Sequence, residues 1–258
     1  MENNMILQIC HLQKEFEIGK EKKQVLRNLT MDAMKGEFIC FLGYSGCGKT
    51  TLLRILAGFE QATSGEILLD GKARNKPGRD ILLISQGFDQ LLPWKTVLDN
   101  MVHPLLATHM AENRKEAVQI SQEWLNAVGL AEFQDVYPHY LSGGMKQRVA
   151  VIRSLALRPR VLLMDEPFAA LDAVTRKSLQ QMTKNICKQY QETVFFVTHS
   201  VEEAVILADR IIVLNNNSNE TESISGIIDN QRYTHGDEHM RAMLIAELIT
   251  MIGATENG

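Results

Sequence analysis

Gly43-Tyr44-Ser45-Gly46-Cys47-Gly48-Lys49-Thr50 stands between the apolar run Phe38 to Leu42 and a helical pattern that starts at Thr51. The octet satisfies G-x-x-x-x-G-K-[ST] in the order strand, loop, helix that a phosphate-binding loop requires. Without side chains at Gly46 and Gly48 the backbone N–H groups can wrap an anion. Lys49 reaches outer phosphate oxygens, and the Thr50 hydroxyl is a ligand for Mg2+. Gly43 to Thr51 is therefore the expected phosphate cradle.

Val161-Leu162-Leu163-Met164 is too continuously apolar to alternate and reads as a strand buried on both faces, with Asp165 and Glu166 at its C-terminal end, where open α/β sheets bind ligands. Asp165 is expected to hold the magnesium shell and Glu166 to polarise an attacking water as general base. In isolation, an acidic pair at a strand end also suits the cap of a following helix. Thr193 to Thr198 forms another apolar strand and ends in His199, at the same rim. A histidine there can bond a γ-phosphate or orient the water, although a lone strand-end histidine is more often structural. Gln86 closes the strand-like stretch Ile81 to Ser85, and its amide is placed to complete the magnesium shell.

Leu141-Ser142-Gly143-Gly144-Met145-Lys146-Gln147-Arg148 is a second anion-directed feature. Ser142 is a good helix N-cap, Gly143 and Gly144 leave the first N–H groups open to close approach, and Met145, Val149, Ile152 and Ala156 recur at helical spacing. Alone it reads more often as a capped surface helix with a glycine turn.

Taken in order, Gly43 to Thr50, Gln86, Leu141 to Arg148, Val161 to Glu166, Ala170-Leu171-Asp172 and His199 resemble the Walker A, Q-loop, signature, Walker B, D-loop and H-loop motifs of ATP-binding cassette ATPases, over residues 5 to 215. The resemblance implies an α/β fold: a P-loop NTPase core with an N-terminal antiparallel β lobe and an inserted α-helical subdomain. It implies ATP and Mg2+, and a head-to-tail dimer in which each ATP is held by the Walker motifs of one copy and, in trans, by Ser142, Gly143, Gly144, Gln147 and Asp172 of the other. Phe16 would stack on the adenine; the family more often has tyrosine there, and phenylalanine keeps the ring.

Composition agrees with a nucleotide-driven subunit. The 258 residues, 45% hydrophobic, suffice for one cassette, and a net charge of −4 leaves no basic footprint for nucleic acid. No apolar run is long enough to span a bilayer. Cys10, Cys40, Cys47 and Cys187 form no C-x-x-C pair and are expected reduced; Cys47 reads as a small residue tolerated in the loop rather than a redox sensor, although the closeness of Lys49 can lower its thiol pKa.

Along the chain, Ile6 to Phe16 and Val25 to Met31 predict a β lobe with its turn in Gly19 to Lys23. Between residues 96 and 157 the strand signal stops, and Ala117, Ile120, Trp124 and Val128 mark a helix whose tryptophan packs the core. Residues 1–236 are expected to form the ATPase domain and 237–258 a helical tail with Met240, Met243, Leu244, Leu248 and Met251 on one face. Asn215 to Ser223 reads as a polar loop between two strands. Leu91-Leu92-Pro93-Trp94-Lys95-Thr96-Val97-Leu98-Asp99-Asn100 is similar to the corresponding stretch in ATPase subunits of importers for nitrate, taurine and other sulfonates, and bicarbonate. That likeness implies two membrane permease subunits contacted through residues 86–100, a solute-binding protein acting indirectly, and a peripheral place on the cytoplasmic face of the membrane. The other readings are the ATPase of an exporter and a soluble ATPase gating assembly of a scaffold, as in iron–sulfur biogenesis.

Overall fold

The computed structural model describes residues 4–19, 21–87, 90–215, 221–230 and 238–256. Apolar and polar residues alternate near the N-terminus and produce two long strands, β1 (Met5–Ile18) and β2 (Glu21–Met34), paired antiparallel. Pairing continues to Ile18↔Glu21, so Lys22 and Lys23, expected in the turn, are strand residues opposite Glu17 and Phe16. Lys20 lies outside the described residues. Two further strands of the lobe carry no periodicity long enough to be read from sequence: β4 (Ser64–Leu69) and β5 (Lys72–Ala73) form a hairpin across Asp70 and Gly71, both with positive φ as a two-residue turn requires. The sheet order is β2-β1-β4-β5.

The second sheet contains β3 (Phe38–Leu42), β6 (Ile81–Ile84), β7 (Val161–Asp165), β8 (Thr193–Thr198), β9 (Arg210–Leu214) and β10 (Ile224–Asp229), in the order β10-β9-β3-β8-β7-β6. All its pairings are parallel except that of β10 with β9. Every residue of β3, β7 and β8 is buried, because both faces of this sheet are covered. Ile39, Phe41, Leu163, Phe195 and Val197 face the antiparallel lobe and α1 (Lys49–Leu56); Phe38, Cys40, Leu162, Met164 and Phe196 face the helices. Each face has an aromatic contact, Phe41–Phe195 at 5.5 Å on one and Phe168–Phe196 at 5.5 Å on the other. Removing one such ring costs about 3–5 kcal/mol.

Between β6 and β7 the described residues form only helices: α2 (Val97–Ala107), α3 (Arg114–Ala127), two 3-10 turns and α4 (Gly143–Leu155). Thr96 and Asn113 start the first two by accepting from the N–H groups of Asp99 and Glu116 at 3.1 and 3.0 Å. Trp124 of α3 is half-buried and packs on Tyr190 with ring centroids 4.9 Å apart.

The remaining helices are α5 (Ala173–Tyr190), α6 (Val201–Leu207) and α7 (Glu238–Glu256). Helix α7 buries Leu244, Leu248 and Ile252 and leaves Met240 and Met243 exposed, so the buried stripe is narrower and shifted relative to the expected face. The centre of the polar run Asn215 to Ser223, residues 216–220, lies outside the described residues, as do 231–237.

Glu192, just before β8, is nearly buried, and desolvation pushes its carboxyl up to about 7 against the opposing pull of Arg158. The folded state therefore holds this proton more tightly than the unfolded chain. Stability contributed by the neutral acid is present at low pH and falls as pH rises from the ordinary carboxylate range to about 7. Glu192→Gln is expected to match the wild-type Tm at pH 5 and to exceed it by a few degrees at pH 8, as thermal melts at both pH values would show.

Candidate active site

Parallel pairing sends the chain out of β3, β6, β7 and β8 at one edge of the sheet. After β3 it wraps through residues 43–48 into α1. Gly48 takes φ +96°, and a Cβ there would lie 2.9 Å from the Val25 carbonyl and the Leu26 side chain, so both conformation and space demand glycine. No side chain caps α1 and its first turn has no acid, which leaves the N–H groups and the positive end of the helix dipole directed at the edge. Lys49 is buried and donates 2.7 Å bonds to the carbonyls of Gly43 and Tyr44. Those bonds satisfy the ammonium and can be exchanged for phosphate oxygens.

At Cys47 burial, not the lysine, decides the thiol, in keeping with a small residue tolerated in the loop. Its Sγ is 3.9 Å from the Lys49 ammonium, yet its pKa is raised: desolvation outweighs the attraction of the lysine charge.

Asp165, the last residue of β7, is buried and accepts a 3.2 Å hydrogen bond from the Thr50 hydroxyl. Burial raises its pKa, the Thr50 bond and Lys49 oppose this, and Glu166 adds to the rise. Two hard oxygen donors are thus adjacent, one of them a desolvated carboxylate that a divalent cation would stabilise; this donor set fits Mg2+. Glu166 has φ +44°, a region that costs a non-glycine residue about 1 kcal/mol and recurs at functional turns. Its N–H is held by the Val197 carbonyl at 3.0 Å, and its Oε2 accepts from His199 Nδ1 at 3.0 Å. A carboxylate only accepts, so the imidazole carries its proton on Nδ1 in this pair.

These parts border a cleft of ≈ 600 Å³ whose lining includes Phe16, Lys23 and Val25 of the antiparallel lobe with Ser45, Gly46, Gly48, Lys49, Thr50, Thr51, Gln86 and Glu166. Gly43, Tyr44, Cys47, Asp165 and His199 do not line it: the first three and Asp165 support the lysine and threonine, and His199 stands behind Glu166. Gln86 is exposed.

The signature segment lies elsewhere, none of it lining this cleft. Ser142 caps α4 by accepting from Met145 N at 3.3 Å. Gly144 is required inside the chain, because a Cβ there would lie 2.3 Å from Thr175 Cγ2 at the start of α5. Gln147 reverses the expectation that it faces a second copy. It is 1% exposed, on a buried stripe with Gly144, Val151 and Leu155, and its Nε2 has no hydrogen-bond partner. Helical phase decides this: positions three and four apart share a face, and that face packs inward. Asp172 is exposed and caps α5, its Oδ1 accepting from Val174 and Thr175 N at 3.1 and 3.0 Å; the Thr175 side chain first, and then these backbone bonds, hold its carboxyl below the usual range.

Two buried polar residues escaped the sequence reading. Asn100, fully buried in α2, accepts from Leu92 N at 2.7 Å and donates to the carbonyls of Leu92, Lys95 and Thr96. It ties down the loop that presents Trp94, which is 71% exposed. Glu203 accepts from Thr198 Oγ1 at 2.6 Å and Gln180 Nε2 at 3.1 Å, binding α5 and α6 to the end of β8 next to His199. Its signal was the Ser200-x-x-Glu203 spacing of a helix start.

The profile of the family described as ABC transporter matches residues 26–169. An uncharacterized ABC transporter ATP-binding protein of Methanocaldococcus jannaschii is 47% identical over 81% of this chain and 77% of its own length. The nitrate import ATP-binding protein NrtD of Synechococcus elongatus is 42% identical over 79% and 74%. Among solved structures, a dimeric ATP-binding cassette in a post-hydrolysis state bound to ADP and Pi superposes with a TM-score of 0.75 at 30% identity, over 87% of this chain and 99% of that one.

Lys49→Ala is expected to lower nucleoside triphosphate affinity at least about a hundredfold, since two or more charge-assisted bonds to phosphate are lost; calorimetry measures it. At pH 8, iodoacetamide should label half-exposed Cys10 well before Cys47, and peptide mass spectrometry would reveal the order.

Proposed function

Since the chain belongs to the ABC transporter family and has the fold of its ATPase cassettes, we propose that it is the ATP-hydrolysing subunit of an importer for a small anion such as nitrate, a sulfonate including taurine, or bicarbonate. The observation that carries the catalytic part is the meeting, at one sheet edge, of an open helix N-terminus with Lys49, the Thr50–Asp165 contact, and the Glu166–His199 pair. The anion class is supported by the likeness of Leu91 to Asn100 to such importers and by the nitrate import relative.

In this reading the triphosphate lies along the N-terminus of α1, bonded by the loop N–H groups and by Lys49, with the adenine on Phe16. Thr50, Asp165 and Gln86 would hold Mg2+, which supplies neutralisation of phosphate charge. Glu166 takes the proton from the attacking water, and the His199 Nδ1–H fixes the carboxylate that receives it. Two copies act head to tail. Ser142 and the N-terminal turn of α4, at Gly143 and Gly144, present N–H groups to the γ-phosphate held by the other copy, and Asp172 lies at the same junction. Gln147, inside the helix pair, supports α4 from below.

The exposed Trp94 and rigid Pro93 form the docking surface for a permease subunit, next to Gln86, so a nucleotide-dependent movement of the Gln86 loop displaces that surface. No helix among the described residues is long and apolar enough to cross a membrane. In this reading the pore belongs to two partner permease chains, with this subunit peripheral on the cytoplasmic face and a solute-binding protein acting through the permease.

Glu166→Gln is expected to keep wild-type ATP affinity, lose about 10²- to 10⁴-fold in turnover, and accumulate as an ATP-bound dimer in size-exclusion light scattering. Wild-type turnover would remove Glu166 from the base role. Pull-down of tagged Glu166→Gln with ATP from gently solubilised native membranes tests the transport role: a pair of hydrophobic permease subunits supports it, and soluble partners alone support a scaffold-assembly ATPase instead.

A further inference from the structure

Lys14 is charged, 9% exposed, and absent from the lining of the nucleotide cleft. Its ammonium donates to Glu60 Oε1 and to the Gln61 carbonyl, both at 2.8 Å, and sits 4.5 Å from the centroid of the Phe16 ring. Lys14 and Phe16 are two apart in β1 and so share one face of the strand, and beside them the pairing steps from Lys14↔Leu26 to Glu15↔Gln24, leaving Val25 extra in β2. Phe16 borders the cleft while Lys14 does not, and the cation sits over one face of the ring.

We infer that Lys14 is a positioning residue for the nucleotide base, acting through the back of the Phe16 ring; this rests on the reading of Phe16 as the base platform. Two π clouds facing each other repel at their centres. An ammonium behind one ring draws its density away from the front face and makes it a better partner for an electron-rich purine. Glu60 and the Gln61 carbonyl hold the ammonium in place, and the ammonium in turn holds the ring, so less rotamer freedom is lost when the base stacks. A phenylalanine lacks the hydroxyl with which a tyrosine could be anchored, and Lys14 supplies the anchor instead. A larger purine surface gains more from this than a pyrimidine.

The test is calorimetry on the full chain with ATP, CTP and inorganic tripolyphosphate, using wild type, Lys14→Met, Lys14→Arg, Phe16→Leu and the Lys14→Met/Phe16→Leu double variant. Lys14→Met should weaken ATP roughly three- to tenfold, weaken CTP less, and leave tripolyphosphate within about twofold, with the double variant no weaker than Phe16→Leu alone. Lys14→Arg should restore most of the ATP affinity, and the loss in Lys14→Met should appear in KM rather than kcat. ATP affinity unchanged in Lys14→Met but lowered in Phe16→Leu overturns this inference alone. Unchanged affinity in Phe16→Leu removes the platform and the inference together while tripolyphosphate binding still reports on the phosphate loop. Equal losses for ATP and tripolyphosphate in Lys14→Met would mark a damaged fold and also overturn it.

Discussion

Parallel pairing of β3, β8, β7 and β6 brings Leu42 level with Thr198, Val197 level with Asp165, and Met164 level with Ile84. Four chain segments therefore leave the sheet at one edge within a residue or two of each other. The phosphate loop, Gln86, Glu166 and His199 are the next residues on those segments, and their meeting needs no other device. The pairing is held because β3, β7 and β8 are buried on both faces, where a slip of one residue would drive Phe41 and Phe195 out of one core and into the other.

The edge so formed is electrostatically unbalanced. A bare helix N-terminus and a buried lysine stand on one side; a desolvated Asp165 and a strained Glu166 stand on the other. Each is expensive alone and is paired locally, Lys49 with loop carbonyls, Asp165 with Thr50 and Glu166 with His199. Such pairs are easily exchanged for ligand atoms, which suits a site that binds a polyanion and a divalent cation and then releases them.

Behind the edge, buried polar side chains convert helices into supports. Glu203 joins α5, α6 and the end of β8; Asn100 fixes the loop under Trp94; Lys14 braces Phe16. Each ties together segments that are far apart in the sequence or that leave different elements. The Ser142-capped N-terminus of α4 lies outside the cleft of its own chain, so the function proposed for it depends on a second copy.

The octet around Lys49, the acidic strand end and the helix start at Ser142 were legible in the sequence, because loop chemistry and continuous apolar runs are local properties. So was the α/β core, from strands too apolar to be half-exposed. The short β4–β5 hairpin, the inward phase of Gln147, the raised thiol of Cys47 and the contact of Lys14 with Phe16 were not. Each depends on which neighbour from a distant part of the chain covers a given face, and on how much water that neighbour excludes. Spacing states which residues share a face; only tertiary packing decides whether that face meets solvent, a charge or a core.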